Sequence, residues 1–182
     1  MIYLTADLHF GHRNVIEYEH RPFSDIAEMD DVLIHNWNSV ITSRDTVYVL
    51  GDVSFYNKTK TADLIGRLSG KKILVLGNHD WNHSEQYWRE VGFDSAYKLK
   101  AVVIDNDLML CHHPPCLPLD GTPWYAAYGH VHGSEAHPTI THNTVCVCTE
   151  RWNFTLVALD RIRQLWKRHE QHLQNMPDQN SD

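Results

Sequence analysis

The sequence predicts an α/β sandwich with mixed β-sheets, and three patterns carry that expectation. Short apolar runs rich in β-branched and aromatic residues recur along the chain. In the first half they alternate with segments of helical spacing, and in the second half strands dominate. With 182 residues the chain fits one domain, large enough to bury roughly 70% of its unfolded surface without a staple.

The strand runs fall at residues 1–6, 46–50, 72–76, 101–104, 108–111, 144–148 and 154–159, with a shorter one at 125–128. The clearest helix covers residues 25–41, where Ile26, Met29, Leu33, Trp37 and Val40 or Ile41 repeat on one face. Asp25 followed by Glu28 reads as its capped start. A second helix is expected over residues 59–68, with Leu64, Ile65 and Leu68 inward and Ser69-Gly70 as its stop. A third starts near Ser84 and runs through Tyr87, Trp88 and Val91 to Gly92. Strand and helix alternation here implies parallel strands joined by crossovers. Asp105-Asn106-Asp107 separates two strand runs as a hairpin would. The stretch 111–142, rich in proline, glycine and histidine, reads as long functional loops. A final basic amphipathic helix over 160–170 uses Ile162, Leu165 and Trp166. Residues 1–170 then form one domain and 171–182 a polar, frayed tail.

Composition narrows the function classes. The start has no basic and apolar leader pattern and no stretch approaches a membrane span, so a cytoplasmic protein is expected. Cys111, Cys116, Cys146 and Cys148 lack Cys-x-x-Cys spacing and read as reduced core residues. The formal charge of −7, with no basic cluster beyond residues 161–168, argues against duplex nucleic acid as a partner. That basic run reads mainly as a solvated helix face, and the expected state is a monomer or small homo-oligomer. The unusual bulk property is 14 histidines, most of them outside any low-complexity tail.

Their positions are ordered. Asp7 and His9 follow the first strand run, Asp52 the second, and Asn78, His79 and Asp80 the third. His112 follows the run at 108–111, and His130 and His132 follow the run at 125–128. Ligands of open α/β sheets gather outside the carboxyl ends of strands, so dispersed motifs can converge on one cleft. Imidazoles, carboxylates and an amide oxygen suit manganese, iron, zinc or nickel and would be odd for calcium. Two such ions about 3.5–4 Å apart can neutralise phosphate oxygens and make a water nucleophilic. Gly51, Gly77 and Gly129 would let the backbone turn sharply at these ends.

Asp7-Leu8-His9, Gly51-Asp52, Gly77-Asn78-His79-Asp80, His112 and Gly129-His130-Val131-His132 together resemble, in order and spacing, the calcineurin-like metallophosphoesterase superfamily. The resemblance implies a four-layer αββα sandwich. It also implies two divalent ions, one held by Asp7, His9, Asp52 and His132 and the other by Asp52, Asn78, His112 and His130, with Asp52 bridging. His79 looks like the family histidine that protonates the leaving oxygen or stabilises phosphoryl oxygens, with Asp80 orienting it or raising its basicity. Gly51-Asp52-Val53-Ser54-Phe55 departs from the further polar residues that many relatives carry there. The departure keeps the bridging ligand and lacks the polar residues of a protein-phosphatase-like substrate grip. The start through Asn14, with Arg21-Pro22-Phe23, is similar to a compact bacterial or phage branch.

His12 and Arg13 stand just past the first motif, where they could contact phosphate or cap a helix starting near Asn14. Asn78 and His79 join them as candidate substrate contacts. His113 reads as an exposed loop histidine, because consecutive side chains diverge and His112 fits the motif. Trp124, Tyr125 and Tyr128 are open to two readings, stacking on a base or packing between sheet and loop. The leading expectation is a metal-dependent phosphoesterase acting on a small phosphodiester or nucleotide. A phosphomonoesterase, a nuclease and a non-catalytic interaction scaffold are the alternatives.

Overall fold

The computed structural model describes residues 1–116 and 124–174, and they form an α/β sandwich of two mixed sheets flanked by helices. In chain order the first half contains β1 (Ile2–Thr5), α1 (Arg13–Tyr18), α2 (Ile26–Val40), β2 (Thr46–Val49), α3 (Lys58–Gly66), β3 (Lys71–Val75), α4 (Glu85–Glu90) and β4 (Ser95–Tyr97). The second half contains β5 (Ala101–Ile104), β6 (Leu108–Cys111), β7 (Tyr125–Tyr128), β8 (Thr144–Cys146), a 3₁₀ turn (Thr149–Trp152), β9 (Val157–Ala158) and α5 (Leu159–Gln174).

One sheet has the order β4-β3-β2-β1-β9, parallel except for β9. The other has the order β5-β6-β7-β8, with an antiparallel β5–β6 hairpin and parallel pairs beyond it. Asp105 and Asn106 take positive φ in that hairpin turn, the left-handed region that short polar side chains tolerate. Leu4, Leu50 and Val75 from the first sheet meet Leu108, Leu110, Ala127 and Val145 from the second between the sheets. Met29, Leu33 and Trp37 of α2 bury onto Val47, Val49 and Leu74 on the other face of the first sheet, each side chain contributing about 1.5–3 kcal/mol.

The caps follow the sequence closely. Asp25 accepts from the Glu28 N–H at 2.9 Å, while the Glu28 carboxylate accepts from the Ser24 N–H and hydroxyl. Asn57 and Ser84 cap α3 and α4 in the same manner. Helix α5 places Ile162 and Trp166 in the core between the sheets and continues to Gln174, past the expected end at 170; residues 175–182 of the expected tail lie outside the described residues. Arg163 on its basic run is a strut, paired with Asp105 and Asp107 of the β5–β6 turn.

Two elements differ from expectation. Ser95–Tyr97 is too short and polar to announce a strand, and parallel pairing with β3 makes it one. The run expected as a strand over 154–159 is one only at Val157–Ala158, with Leu159 opening α5. The run expected at 125–128 is β7, an interior strand within the 111–142 stretch, where Ala126 and Ala127 are fully buried between β6 and β8. Residues 117–123 of that stretch lie outside the described residues. Cys111, Cys146 and Cys148 sit with Tyr128 in a small cluster on the second sheet, all as free thiols. Among the described residues no helix is long and apolar enough to cross a membrane.

Candidate metal centre

The loops after β1 and β2 keep running side by side once the sheet ends. Asp7 N–H donates to Gly51 O, His9 N–H to Asp52 O and Phe10 N–H to Val53 O, each at 3.0 Å. This ladder fixes Asp7, His9 and Asp52 relative to one another before any side-chain contact is made. Asp7, His9, Asp52, His130 and His132 all have φ between 45° and 72°. Non-glycine residues rarely enter this region, and such strain gathers at functional sites.

Two glycines permit the close approach by different means. Gly51 uses a φ of 90° that other residues avoid. Gly77 does not turn through the left-handed region; a Cβ there would overlap Asp52 Oδ1. The expected sharp turn at Gly77 is therefore a matter of space, not of torsion.

The side chains form two groups of donors around a shared pair of carboxylates. Asp7, His9 and His132 make one; His112, His130 and His113 make another; Asp7, Asp52 and His112 join them, and within each group the ligand atoms lie within 4.8 Å of one another. His9 Nε2 is 3.8 Å from Asp7 Oδ1 and 3.7 Å from Asp52 Oδ2, and His132 Nε2 is 3.7 Å from Asp7 Oδ1. His112 Nε2 is 3.5 Å from Asp52 Oδ2. These separations are too long for hydrogen bonds. Two donors each about 2.1 Å from a common tetrahedral ion stand about 3.4 Å apart, which is close to what is found. Asp7 Oδ1 and both ring nitrogens of His9 are buried without a hydrogen-bond partner, a costly arrangement that a cation would relieve. His112 Nδ1 is 2.7 Å from Leu50 O and, as its donor, leaves Nε2 as a lone pair. That nitrogen faces Asn78 Oδ1 at 2.8 Å. The residues present therefore fit a pair of divalent ions.

Electrostatics point the same way. Burial works against the Asp7 carboxylate, yet His9, His132 and His112 hold it below its ordinary range. Burial, then Asp7 and Asp80, push the Asp52 carboxyl up to about 8. Burial lowers His9 and His112 to about 4, so both imidazoles are neutral donors at neutral pH. His132 moves oppositely: burial disfavours its charge, but Glu150 and Asp7 outweigh that and raise it to about 9.

Glu150 and Arg21 are functional candidates that spacing alone missed. Glu150 Oε1 is 2.9 Å from His132 Nδ1, and it accepts from Arg21 Nε at 2.9 Å and Nη2 at 2.6 Å. The same guanidinium, fully buried, donates to the Asp7 and Leu8 carbonyls. Arg21 thus ties the first motif to the group that orients His132, the carboxylate–histidine arrangement typical around metals. Arg21 ends no predicted strand, and the signal for Glu150 was its place two residues past the run 144–148, the same offset that Asp52 has from the run 46–50.

Other expectations are redistributed. His79 is exposed at the cluster, its Nε2 3.9 Å from Asp52 Oδ2 and its N–H donating to Asp52 Oδ1 at 3.0 Å. Asp80 is not its partner: this buried carboxylate accepts the Asp52, Val53 and Gly77 N–H groups at 2.7, 3.1 and 2.9 Å. Its chemistry is to hold two strand-end loops together, because both oxygens are engaged by backbone. His12 joins the cluster, stacked on Phe55 at 4.0 Å and 5.3 Å from the His9 ring. Arg13 does not; it is exposed on α1 and lines a separate hollow with Glu17, Phe23 and Asp25. His113 comes to the site, its ring 4.3 Å from that of His130, since strand alternation has ended by that position. Tyr125 stacks on Trp166 at 4.6 Å and Tyr128 is buried, so both pack.

The chain is 36% identical over 173 residues to the uncharacterized protein MJ1445 of Methanocaldococcus jannaschii, with 90% of each chain covered. It belongs to the family of that archaeal protein. The Gene 66 protein of Mycobacterium phage D29 is 27% identical over 192 residues, covering 90% of this chain and 94% of the phage protein. Among solved structures, the protein of unknown function AQ665 from Aquifex aeolicus superposes with a TM-score of 0.70 at 25% identity, covering 91% of this chain and 98% of that one. No family profile matches the chain.

Proposed function

We propose that this chain is a metal-dependent phosphoesterase of the calcineurin-like type, acting on a small phosphodiester or nucleotide in the cytoplasm. The observation that carries the reading is the pair of donor groups meeting at Asp7 and Asp52, spaced for co-ligation and left partly unpaired. Asp7, His9, Asp52 and His132 would hold one ion, and Asp52, Asn78, His112 and His130 the other. Manganese, iron, zinc or nickel suits this set. Bound there, such ions neutralise phosphate oxygens and lower the pKa of water.

The chain's own residues supply the remainder. Arg21 and Glu150 orient His132, and Asp80 fixes the Asp52 loop against Gly77. His79, exposed next to Asp52, is the group able to carry a proton to the departing oxygen. His12 and Phe55 border the same cleft. The charge of −7 favours a small substrate over duplex nucleic acid.

The test is metal content and turnover on one purified sample, supplied in turn with manganese, nickel, zinc and magnesium and with matched aryl phosphate mono- and diesters. Near two ions per chain with faster diester turnover is the expected result. Asp52→Asn should lose metal and activity together, whereas His79→Ala should keep its metal and slow turnover about 10²–10⁴-fold. Monoester preference would redirect the substrate class. Absence of both metal and turnover would leave an interaction scaffold as the better reading.

A further inference from the structure

Beside the metal centre lies a cavity of ≈ 680 Å³, within the range of about 300–1,000 Å³ usual for small-molecule sites. Asn78 and His112 line it, so it opens directly onto one of the two donor groups. Apart from Lys100 and His113 its other described walls are apolar and include Trp81, Leu99 and Met109. Trp81 is 42% and Leu99 54% exposed, which is unusual for large apolar side chains placed together around a hollow.

The charge pattern is also local. In a chain of net charge −7, no carboxylate among the described residues lines this cavity, while Lys100 does. Lys98 adds a second cation: its Nζ sits 5.3 Å from the centroid of the Trp81 ring and donates to Trp81 O at 2.8 Å. A flat, largely apolar wall with Lys100 on it and Lys98 against Trp81 suits the aromatic part of an anionic molecule. Beside the other donor group, Phe55 is 42% exposed and lies 5.4 Å from the His9 ring and 4.9 Å from the His79 ring. Apolar platforms therefore stand on two sides of the place a phosphate would occupy, which a substrate with two organic arms can use and a monoester cannot.

We infer that this cavity is the subsite for a nucleoside-like aromatic arm of a phosphodiester, which packs against Trp81 while the phosphate lies between Asn78 and His79. The inference rests on the phosphoesterase reading for the phosphate, but the cavity itself can be tested without it. Adenosine, which carries no phosphate, is the probe, titrated into the full chain and followed by NMR at the Trp81 indole N–H and the Met109 methyl. Saturable shifts at both are expected. Trp81→Ala should weaken adenosine binding about 5- to 150-fold, the range that 1–3 kcal/mol of base stacking implies. Trp81→Phe should restore part of it. The same Trp81→Ala change should raise KM for thymidine 5′-(4-nitrophenyl phosphate) by a similar factor with kcat little altered. Because Trp81 lies at the surface outside the buried core, an unchanged circular dichroism spectrum is expected for the variant.

Shifts that avoid Trp81 and Met109, or adenosine affinity unaffected by Trp81→Ala, would overturn the subsite. Adenosine binding at Trp81 in a protein that turns over no phosphate ester with any ion would support the subsite while overturning the phosphoesterase reading.

Discussion

Glu150→Ala is the perturbation that bears most directly on how the centre is held. Glu150 accepts two bonds from a fully buried Arg21 and lies 2.9 Å from His132 Nδ1. Its removal leaves Arg21 only the Asp7 and Leu8 carbonyls as oxygen acceptors. Breaking a buried ion pair from one side costs about 3–5 kcal/mol, because the other charge stays buried. At about 2–4 °C per kcal/mol for a chain of this size, that is a fall in Tm of about 6–20 °C. Loss of an outer-sphere partner should also weaken ion binding about 10- to 100-fold. Denaturant unfolding of the metal-free protein measures the first quantity and isothermal titration calorimetry the second. Glu150→Gln retains an amide oxygen and should fall between wild type and alanine in both. A Glu150→Ala protein within about 1 kcal/mol of wild type would refute the buried-charge argument. A destabilised variant with undiminished ion affinity would refute the link from Arg21 through Glu150 to His132.

Three further outcomes follow from the same geometry. Asp80→Ala strands the buried N–H groups of Asp52, Val53 and Gly77, so it should cost about 3 kcal/mol or more in unfolding free energy, at about 1–3 kcal/mol per lost partner; a stable variant slowed only in turnover would return Asp80 to the role of partner to His79. Gly77→Ala pushes a Cβ onto Asp52 Oδ1, so ion affinity should fall even if the fold survives; unchanged metal content at saturating and limiting ion would count against the packing argument. Ion binding at pH 7 should release about two protons, because His132, raised to about 9, must give up its Nε2 proton and Asp52, raised to about 8, its carboxyl proton, while His9 and His112, at about 4, are already neutral. For the metal-free protein the sign is fixed: His132 adds stability that is full below its unfolded pKa near 6.5 and lost as pH rises through about 9. Equal apparent binding enthalpies in buffers of different ionisation heat would contradict the proton release.

The sequence by itself determined the strands, the capped helices and the order of the candidate ligands. Apolar periodicity and cap residues are local properties: the helix expected at 25–41 appears as Ile26–Val40, with Asp25 at its cap. The strand-end ligands were legible for a related reason, since Asp7, Asp52, Asn78, His112 and His130 are each the first polar group after an apolar run ends, with His9 and His132 two residues further on. Only the tertiary structure decided which polar groups face one another. Asp80 follows His79 in the chain, yet its carboxylate is claimed by backbone N–H groups from two loops. Arg13 is adjacent to His12 but leaves the cluster with the first turn of α1, while Arg21 and Glu150, 129 residues apart, are brought together under the ligands. The strand at 95–97 likewise exists through its pairing with β3. Burial and partner choice depend on distance in space, and at a centre assembled from the ends of five strands that distance has no counterpart in sequence separation.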